Sequence, residues 1–513
     1  MKRREFLKWI GTGAAVATVP CLGGGCAADK ATLKSSETAA SAHGLYFDRF
    51  GIDAGLLKRV MDAGLSRGGD FCDVFLQHKI RHWVGMEDGA INRAYTTVDL
   101  GAGVRVLKGD ATGFAYCEDL SESAMKAAAQ TAAAVADGTP HVRPAPLKVQ
   151  TIKSAYAVEI PWSEVGIDKK LPLIERLNTQ VRGRDPRIIK VTIFLSDETS
   201  HILVANSEGL LVEDEQPMAL VYAVAVAQSN GKTETGYQSL SSRDGLSFFS
   251  PQRLDRVAHD AADYTTKLFD AVAAPMGELP VVMAPGVSGI LLHEAIGHGM
   301  EADFNRKGVS IFADRIGKRI APEHVTIVDD GTNERLRGSI NIDDEGCPSQ
   351  RTVLVEKGIL RSYMHDRISA KHYKLPSTGS GRRQSFRHPP VPRMRNTYML
   401  NGPHKAEEII ASVKKGLYAE VFSNGQVTIG AGTFTFYLKH GRLIENGKLT
   451  EVVKDANLIG SGPKVLDKMD MVADDMQLYS GGGMCGKDGQ RVPVGFGLPT
   501  TRAGAISIGG RQS

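Results

Sequence analysis

The chain has 513 residues, 42% of them hydrophobic and 23% charged. That is the composition of packed globular domains, and the length suggests two to four of them. A formal net charge of +4 is too small to argue for binding to nucleic acid or to a membrane surface.

The first residues are not expected to belong to the fold. Lys2-Arg3-Arg4-Glu5-Phe6-Leu7-Lys8, followed by the moderately apolar run Trp9 to Val19, reads as a twin-arginine export signal. The apolar run is too short to span a bilayer as a permanent anchor. Leu22-Gly23-Gly24-Gly25-Cys26 resembles a lipoprotein cleavage box with its leucine one place too far from the cysteine, which makes Cys26 a candidate lipid anchor. A tether rich in Ala, Ser and Lys carries the chain to residue 44. The protein is therefore expected to be exported, periplasmic or held on the outer side of the membrane.

From residue 45 the pattern predicts an α+β fold in two domains. The first, 45–275, is predicted as an antiparallel sheet with helices packed on it. Its helices fall at Ala54 to Leu65, Met125 to Ala136, Leu171 to Val181 and Gln252 to Val272. Its strands fall at Phe71 to Gln77, His82 to Met86, Gly101 to Leu107, Gly113 to Cys117, Ile188 to Leu195, Ile202 to Asn206 and Met218 to Gln228. Gly101-Ala102-Gly103 is not a dinucleotide fingerprint, because no third glycine opens a helix after it. The second domain, 276–513, is β-rich and must fold back on itself to join distant motifs, a task suited to a closed or strongly curved sheet. Six cysteines show no paired spacing, and no essential disulfide is expected.

The second domain opens with a buried strand, a turn and an apolar helix start (Leu279 to Ile290) that lead into Leu291-Leu292-His293-Glu294-Ala295-Ile296-Gly297-His298. Metal-dependent hydrolases place two His on one side of a helix, with the adjacent Glu reaching the water. The usual spacing is four residues; here it is five. At about 100° per residue, a five-residue step leaves two side chains about 140° apart. Joint binding of one metal by His293 and His298 therefore requires a π-type bulge or an early helix end, and a widened turn is predicted at Gly297. Taken alone, the stretch reads equally as a metal site or as a polar helix. Its place at the end of a buried helix favours the metal, as does a candidate third ligand, Cys485, in Gly481-Gly482-Gly483-Met484-Cys485-Gly486-Lys487. The same run fits the front of a phosphate-binding loop, but Asp488 stands where Ser or Thr should hold magnesium. Arg382, Arg383, Arg387, Arg393 and Arg395 form a dense basic stretch. The prolines among them bar a groove-entering helix, and the stretch is expected to contact substrate, its carboxylate end or a dimer partner.

The H-E-x-x-x-H segment continuing into Gly299-Met300-Glu301-Ala302-Asp303, together with Gly481 to Lys487, resembles the TldD/PmbA family of metallopeptidases. The resemblance extends through Asp329-Asp330-Gly331-Thr332, Asp343-Asp344-Glu345-Gly346, Ser377-Thr378-Gly379 and Pro392 to Met399. It implies zinc bound by His293, His298 and Cys485, with Glu294 as catalytic base, as in the metal-bearing TldD type. It also implies extended or unfolded peptide substrates and a homodimer or a heterodimer with a paralogue. The expected chemistry is metal-assisted peptide hydrolysis, with zinc or another divalent ion. The alternatives are a different metal-dependent amide hydrolase, or a non-catalytic dimer partner whose structural metal takes a fourth ligand from Glu301 or Asp303. Residues that bind substrate are not assigned.

Overall fold

Strict alternation of apolar and polar residues along unusually long strands sets the architecture of the first half. The computed structural model describes residues 44–510; the expected leader and nearly all of the tether lie outside them. Ile188–Asn206 shows the pattern. Val191, Ile193 and Leu195 are buried under the helices Ile167–Arg184 and Pro251–Thr266, while Phe194, Ser196 and Glu198 face a cavity on the opposite side. This strand is central in a seven-stranded sheet that runs Ala111–Cys117, Ala90–Lys108, Phe71–Glu87, Ile188–Asn206, Leu210–Ser229, with Lys148–Val149 and Lys232–Ser242 both pairing with the last. Every pairing in it is antiparallel apart from that of Lys148–Val149.

The helices start where the sequence supplies caps. Asp53 accepts from the Leu56 amide, Ser121 from Ala124 and Ser250 from Arg253, the last with Pro251 in the first turn. Ala54–Leu65 and Glu122–Ala133 bury Leu57, Val60, Met125 and Ala129 against Val74, Leu76, Val104 and Val106.

In the second half, Thr501–Gly510 pairs with both Gly277–Met283 and Lys448–Ser461. Lys415–Thr428 and Thr433–Glu445 complete the circuit, which closes a five-stranded barrel. Beside it stands a six-stranded sheet ordered Ile359–Leu360, Arg351–Glu356, Ile327–Asp330, Asn396–Met399, Gly495–Leu498, Gln477–Leu478. The apolar start of the motif helix, Leu291, Leu292, Ala295 and Ile296, packs into the same core as the barrel residues Met283, Leu417, Phe436 and Leu458.

The α+β reading with antiparallel sheets and the curved second half hold, but the division is less clean than a two-domain layout implies. From Leu45 onward the chain forms one compact unit. Val272–Ala273, before the expected boundary, pairs with Val453–Lys454 of the barrel. Arg105, fully buried, donates to Asp73 (2.8 Å) in its own sheet and to Glu345 (2.7 Å) in the second half. Phe386 enters the first sheet, and a Cβ on Gly101 would stand 2.2 Å from its ring. The small residues at 101–103 are thus a docking notch.

Several expected elements prove to be fragments. Phe71 to Gln77 and His82 to Met86 are one strand, Phe71–Glu87, and Lys415–Thr428 runs through two stretches whose residues separately suggest strands, Leu417 to Val421 and the start of Val427 to Ala431. The polar residues that seemed to break the first of these, Lys79 and Arg81, belong to the cavity-facing side of the sheet.

Candidate metal centre

The motif helix passes through three windings in twelve residues. Gly289–Leu292 is α-helical, His293–Gly297 is a π-helix and His298–Met300 is a 3₁₀ turn. The widened turn falls where the five-residue spacing requires it, and it brings the imidazole centroids to 5.2 Å. The reason for glycine differs from the expected one. Gly297 has ordinary helical angles (φ −57°, ψ −51°), but a Cβ there would lie 2.1 Å from the sulfur of Met394. Close approach of the core, and not unusual dihedrals, excludes a side chain.

Cys485 arrives from a hairpin, Met484–Lys487 paired with Gln490–Pro493. Its turn residues Asp488 and Gly489 both have positive φ, 50° and 72°. Ligand atoms of His293, His298 and Cys485 lie within 4.8 Å of one another, and all three residues are buried. The Cys485 sulfur is 3.4 Å from His298 Nε2. Glu294 extends past the same nitrogen, with Oε2 3.8 Å away, and its side chain is the most exposed of the group at 18%.

The donor set fits a divalent metal. Neither ring nitrogen of His293 has a hydrogen-bond partner, although the residue is 1% exposed. Buried polar atoms are rarely left in that state. Burial alone would raise the Cys485 thiol, but the two imidazoles outweigh it and hold the group well below its ordinary value. Thiolate is the form that binds metal. Burial pushes the Glu294 carboxyl up, opposed in part by His293 and His298, in the direction that suits a general base working near neutral pH.

Behind the ligands stands a layer that sequence reasoning misplaced. Glu301 is fully buried and its Oε2 meets His298 Nδ1 at 3.0 Å, on the side of the ring away from Cys485. It therefore orients His298 and fixes which nitrogen faces the cluster. Burial would raise its carboxyl, but Lys487 and His298 bring it down to about 2. Asp303 accepts from Lys487 Nζ at 2.7 Å. Neither acid joins the cluster as a fourth ligand. Lys487, with Asp303 and Glu301 (3.1 Å) as partners, stands on a strand of the hairpin, which removes the phosphate-loop reading.

The arginine stretch is also corrected. Arg382, Arg383, Arg393 and Arg395 are buried. Arg395 Nε donates to Asp329 at 2.7 Å and its Nη1 to the Thr378 carbonyl at 2.9 Å, while Arg393 donates to the carbonyl of Cys485 itself. Arg387, at the surface, is paired with Asp99 and Glu118. Most of the stretch therefore braces the site, and Arg382, Arg383 and Arg387 also reach the cavity wall. Cys72, Cys117, Cys347 and Cys485 are free thiols.

Three consecutive stretches of the chain match family models. Residues 72–136 match PmbA/TldA metallopeptidase domain 1, 160–269 the central domain and 276–510 the C-terminal domain. A metalloprotease TldD homolog of Haemophilus influenzae is 40% identical over 462 residues, 88% of this chain and 96% of that one. A zinc metalloprotease TldD homolog of Saccharolobus solfataricus is 28% identical over 446 residues, 86% of this chain and 97% of its own. Among solved structures, TldE from Thermococcus kodakarensis matches with a TM-score of 0.69 at 19% identity, covering 89% of this chain and all of that one. This last is a likeness of fold alone. The matched stretches run from the first sheet through the barrel to the Cys485 hairpin, and the chain belongs to the PmbA/TldD metallopeptidase family.

Proposed function

We propose that this chain is a zinc-dependent peptidase that hydrolyses extended or unfolded peptides. The observation that carries the reading is the convergence of His293, His298 and Cys485 with an unpartnered imidazole and a carboxylate beside them. The name of the Saccharolobus solfataricus relative supports zinc, and another divalent ion suits the same donors. His293, His298 and Cys485 would hold the metal, which when bound lowers the pKa of a water and polarises a carbonyl. Glu294 takes the proton of the attacking water and returns it to the leaving amine. Glu301 holds the His298 ring in place, and Arg393 anchors the backbone of Cys485. The substrate lies as an extended strand against a sheet edge.

The decisive experiment compares metal content and hydrolysis of an unfolded protein between wild type and Glu294→Ala. The expected outcome is metal in both and cleavage in wild type alone. Metal in neither sinks the reading; metal in both without cleavage in either points to a structural ion. Parallel assays on acylated small molecules separate a peptidase from another amide hydrolase.

The same reading takes the chain as a dimer, with itself or with a paralogue, exported by the twin-arginine route and with Cys26 as a candidate lipid anchor. Replacing Arg3 and Arg4 by lysine should leave the precursor in the cytoplasm, a change visible by cell fractionation.

A further inference from the structure

A cavity of about 900 Å³ lies against the face of the first sheet that its helices leave bare. On that face Trp83, Phe194, Tyr222 and Tyr237 come from four adjacent strands. Their rings stack in one row. Centroids are 4.6 Å apart from Trp83 to Phe194, 4.8 Å from Phe194 to Tyr222 and 5.3 Å from Tyr222 to Tyr237, with interplanar angles of 20° or less. A second stacked pair, Tyr479 on Phe496 (5.1 Å, 14°), continues the wall. Ser239, two residues beyond Tyr237 on the same face, lies 3.4 Å from the Tyr479 hydroxyl.

The row leads towards the metal centre. The Phe496 ring is 6.3 Å from that of His293, and Met484, also on the cavity wall, is bonded to Cys485. The cavity lining includes both of these neighbours of the ligands.

Cross-strand aromatic pairs also stabilise sheets, yet the sheet already has its apolar anchor on the helix-covered side in Val191, Ile193 and Leu195. The rings from Trp83 to Tyr237 are only half-buried. Apolar surface held in contact with solvent in a cleft is a binding feature more often than a structural one. Farther along the same face the residues turn polar and pair among themselves, as in Arg81 Nε to Glu198 at 2.8 Å. The ring row is thus the part of this face that offers stacking without charge.

We propose that this row is a side-chain subsite, which makes the enzyme prefer peptides carrying an aromatic residue within a few positions of the cleaved bond. The proposal rests on the peptidase reading above. Its test uses short polar peptides that differ only in the position of a single Phe, together with the all-polar parent. Cleavage by wild type is compared with anisotropy-measured binding to Glu294→Ala. The expected result is that one or two Phe positions raise kcat/KM about 10- to 100-fold over the parent, the discrimination available to an apolar pocket. The ratio should collapse in Tyr222→Ser and fall partly in Tyr222→Leu, which keeps the apolar volume if the serine variant does not fold. Equal cleavage and equal binding at every Phe position overturns the subsite, as does a ratio unchanged in both Tyr222 variants. If no peptide is cleaved but Phe peptides still bind more tightly than the parent, the peptidase reading fails and the subsite stands.

Discussion

Two buried polar clusters in this chain differ in how far their central residue is partnered. Arg105, fully buried, spends all three guanidinium nitrogens on Asp73 and Glu345. His293, equally buried, has no hydrogen-bond partner on either nitrogen. The first cluster closes the joint between the sheet and the second half of the chain; the second gathers donors that could hold a metal. Buried charge by itself does not mark a functional site. An imidazole with neither nitrogen partnered, beside a second imidazole and a thiol within 4.8 Å, points to one.

The contrast is sharpest if each cluster is broken at its centre. In His293→Ala, metal content and peptide hydrolysis should both fall to background, while the metal-free protein loses only the packing of the ring and its attraction for the Cys485 thiolate. Arg105→Met should do the opposite. Removing one partner of a buried ion pair leaves Asp73 and Glu345 without their shared guanidinium, with only Arg383 (3.7 Å) near Asp73, and costs about 3 kcal/mol, read by denaturant unfolding, with metal per folded chain unchanged. Loss of metal in Arg105→Met, or a stability loss of similar size in metal-free His293→Ala, would erase the distinction.

The two histidines were legible because their spacing is local, whereas Cys485, 187 residues from His298, was reached through its glycine-dense loop and the family resemblance. A five-residue His spacing demands a wider turn, although the glycine at 297 answers to the Met394 sulfur packed against it and not to the dihedrals of that turn. The Arg105 cluster was not legible, because its acids stand 32 and 240 residues away. For the same reason a run of arginines reads as a contact for substrate or a partner when Asp329, 66 residues from Arg395, is what holds one of them inside. Glu301 was legible as an acid near the site but not as a support behind it. A change from π to 3₁₀ winding decides which side of His298 it meets, and composition does not encode that. The strands Lys232–Ser242 and Ala90–Lys108 were missed, wholly or in part, because a sheet that lines a cavity carries Ser, Thr, Gln and Lys where a packed one would carry valine.

Two buried carboxylates extend the comparison. Glu301, beside Lys487 and His298, is held at about 2, whereas burial lifts Asp214 to about 6, opposed only in part by hydrogen bonds from Tyr156, Asn341 and Gln216 and by the charge of Arg243. A carboxyl whose folded pKa lies above its unfolded value of 3.8 contributes stability that is present below that value and lost as pH rises through about 6. A shift of this size corresponds to about 3 kcal/mol. Asp214→Asn does not titrate, so its stability relative to wild type should improve by about that amount between pH 4 and pH 7. A constant difference across that range in paired urea titrations would show that Asp214 is ionised in the folded protein as readily as in the unfolded one.

The finest test separates support from neighbourhood within the metal cluster itself. Glu301 and Asp303 share Lys487, at 3.1 Å and 2.7 Å, but only Glu301 touches His298. Glu301→Gln keeps an acceptor for the imidazole N–H and removes the charge that makes the ring a stronger donor to metal. Loss of such a supporting carboxylate costs about 10- to 100-fold in metal affinity, measurable by competition with a chelator. Asp303→Asn perturbs the same lysine and should leave metal affinity within about twofold of wild type, since its effect reaches the metal only through a shared neighbour. Equal losses in the two variants would mean that Lys487, and the hairpin it pins, sets the affinity. A loss confined to Glu301→Gln would assign it to the orientation and basicity of a single imidazole.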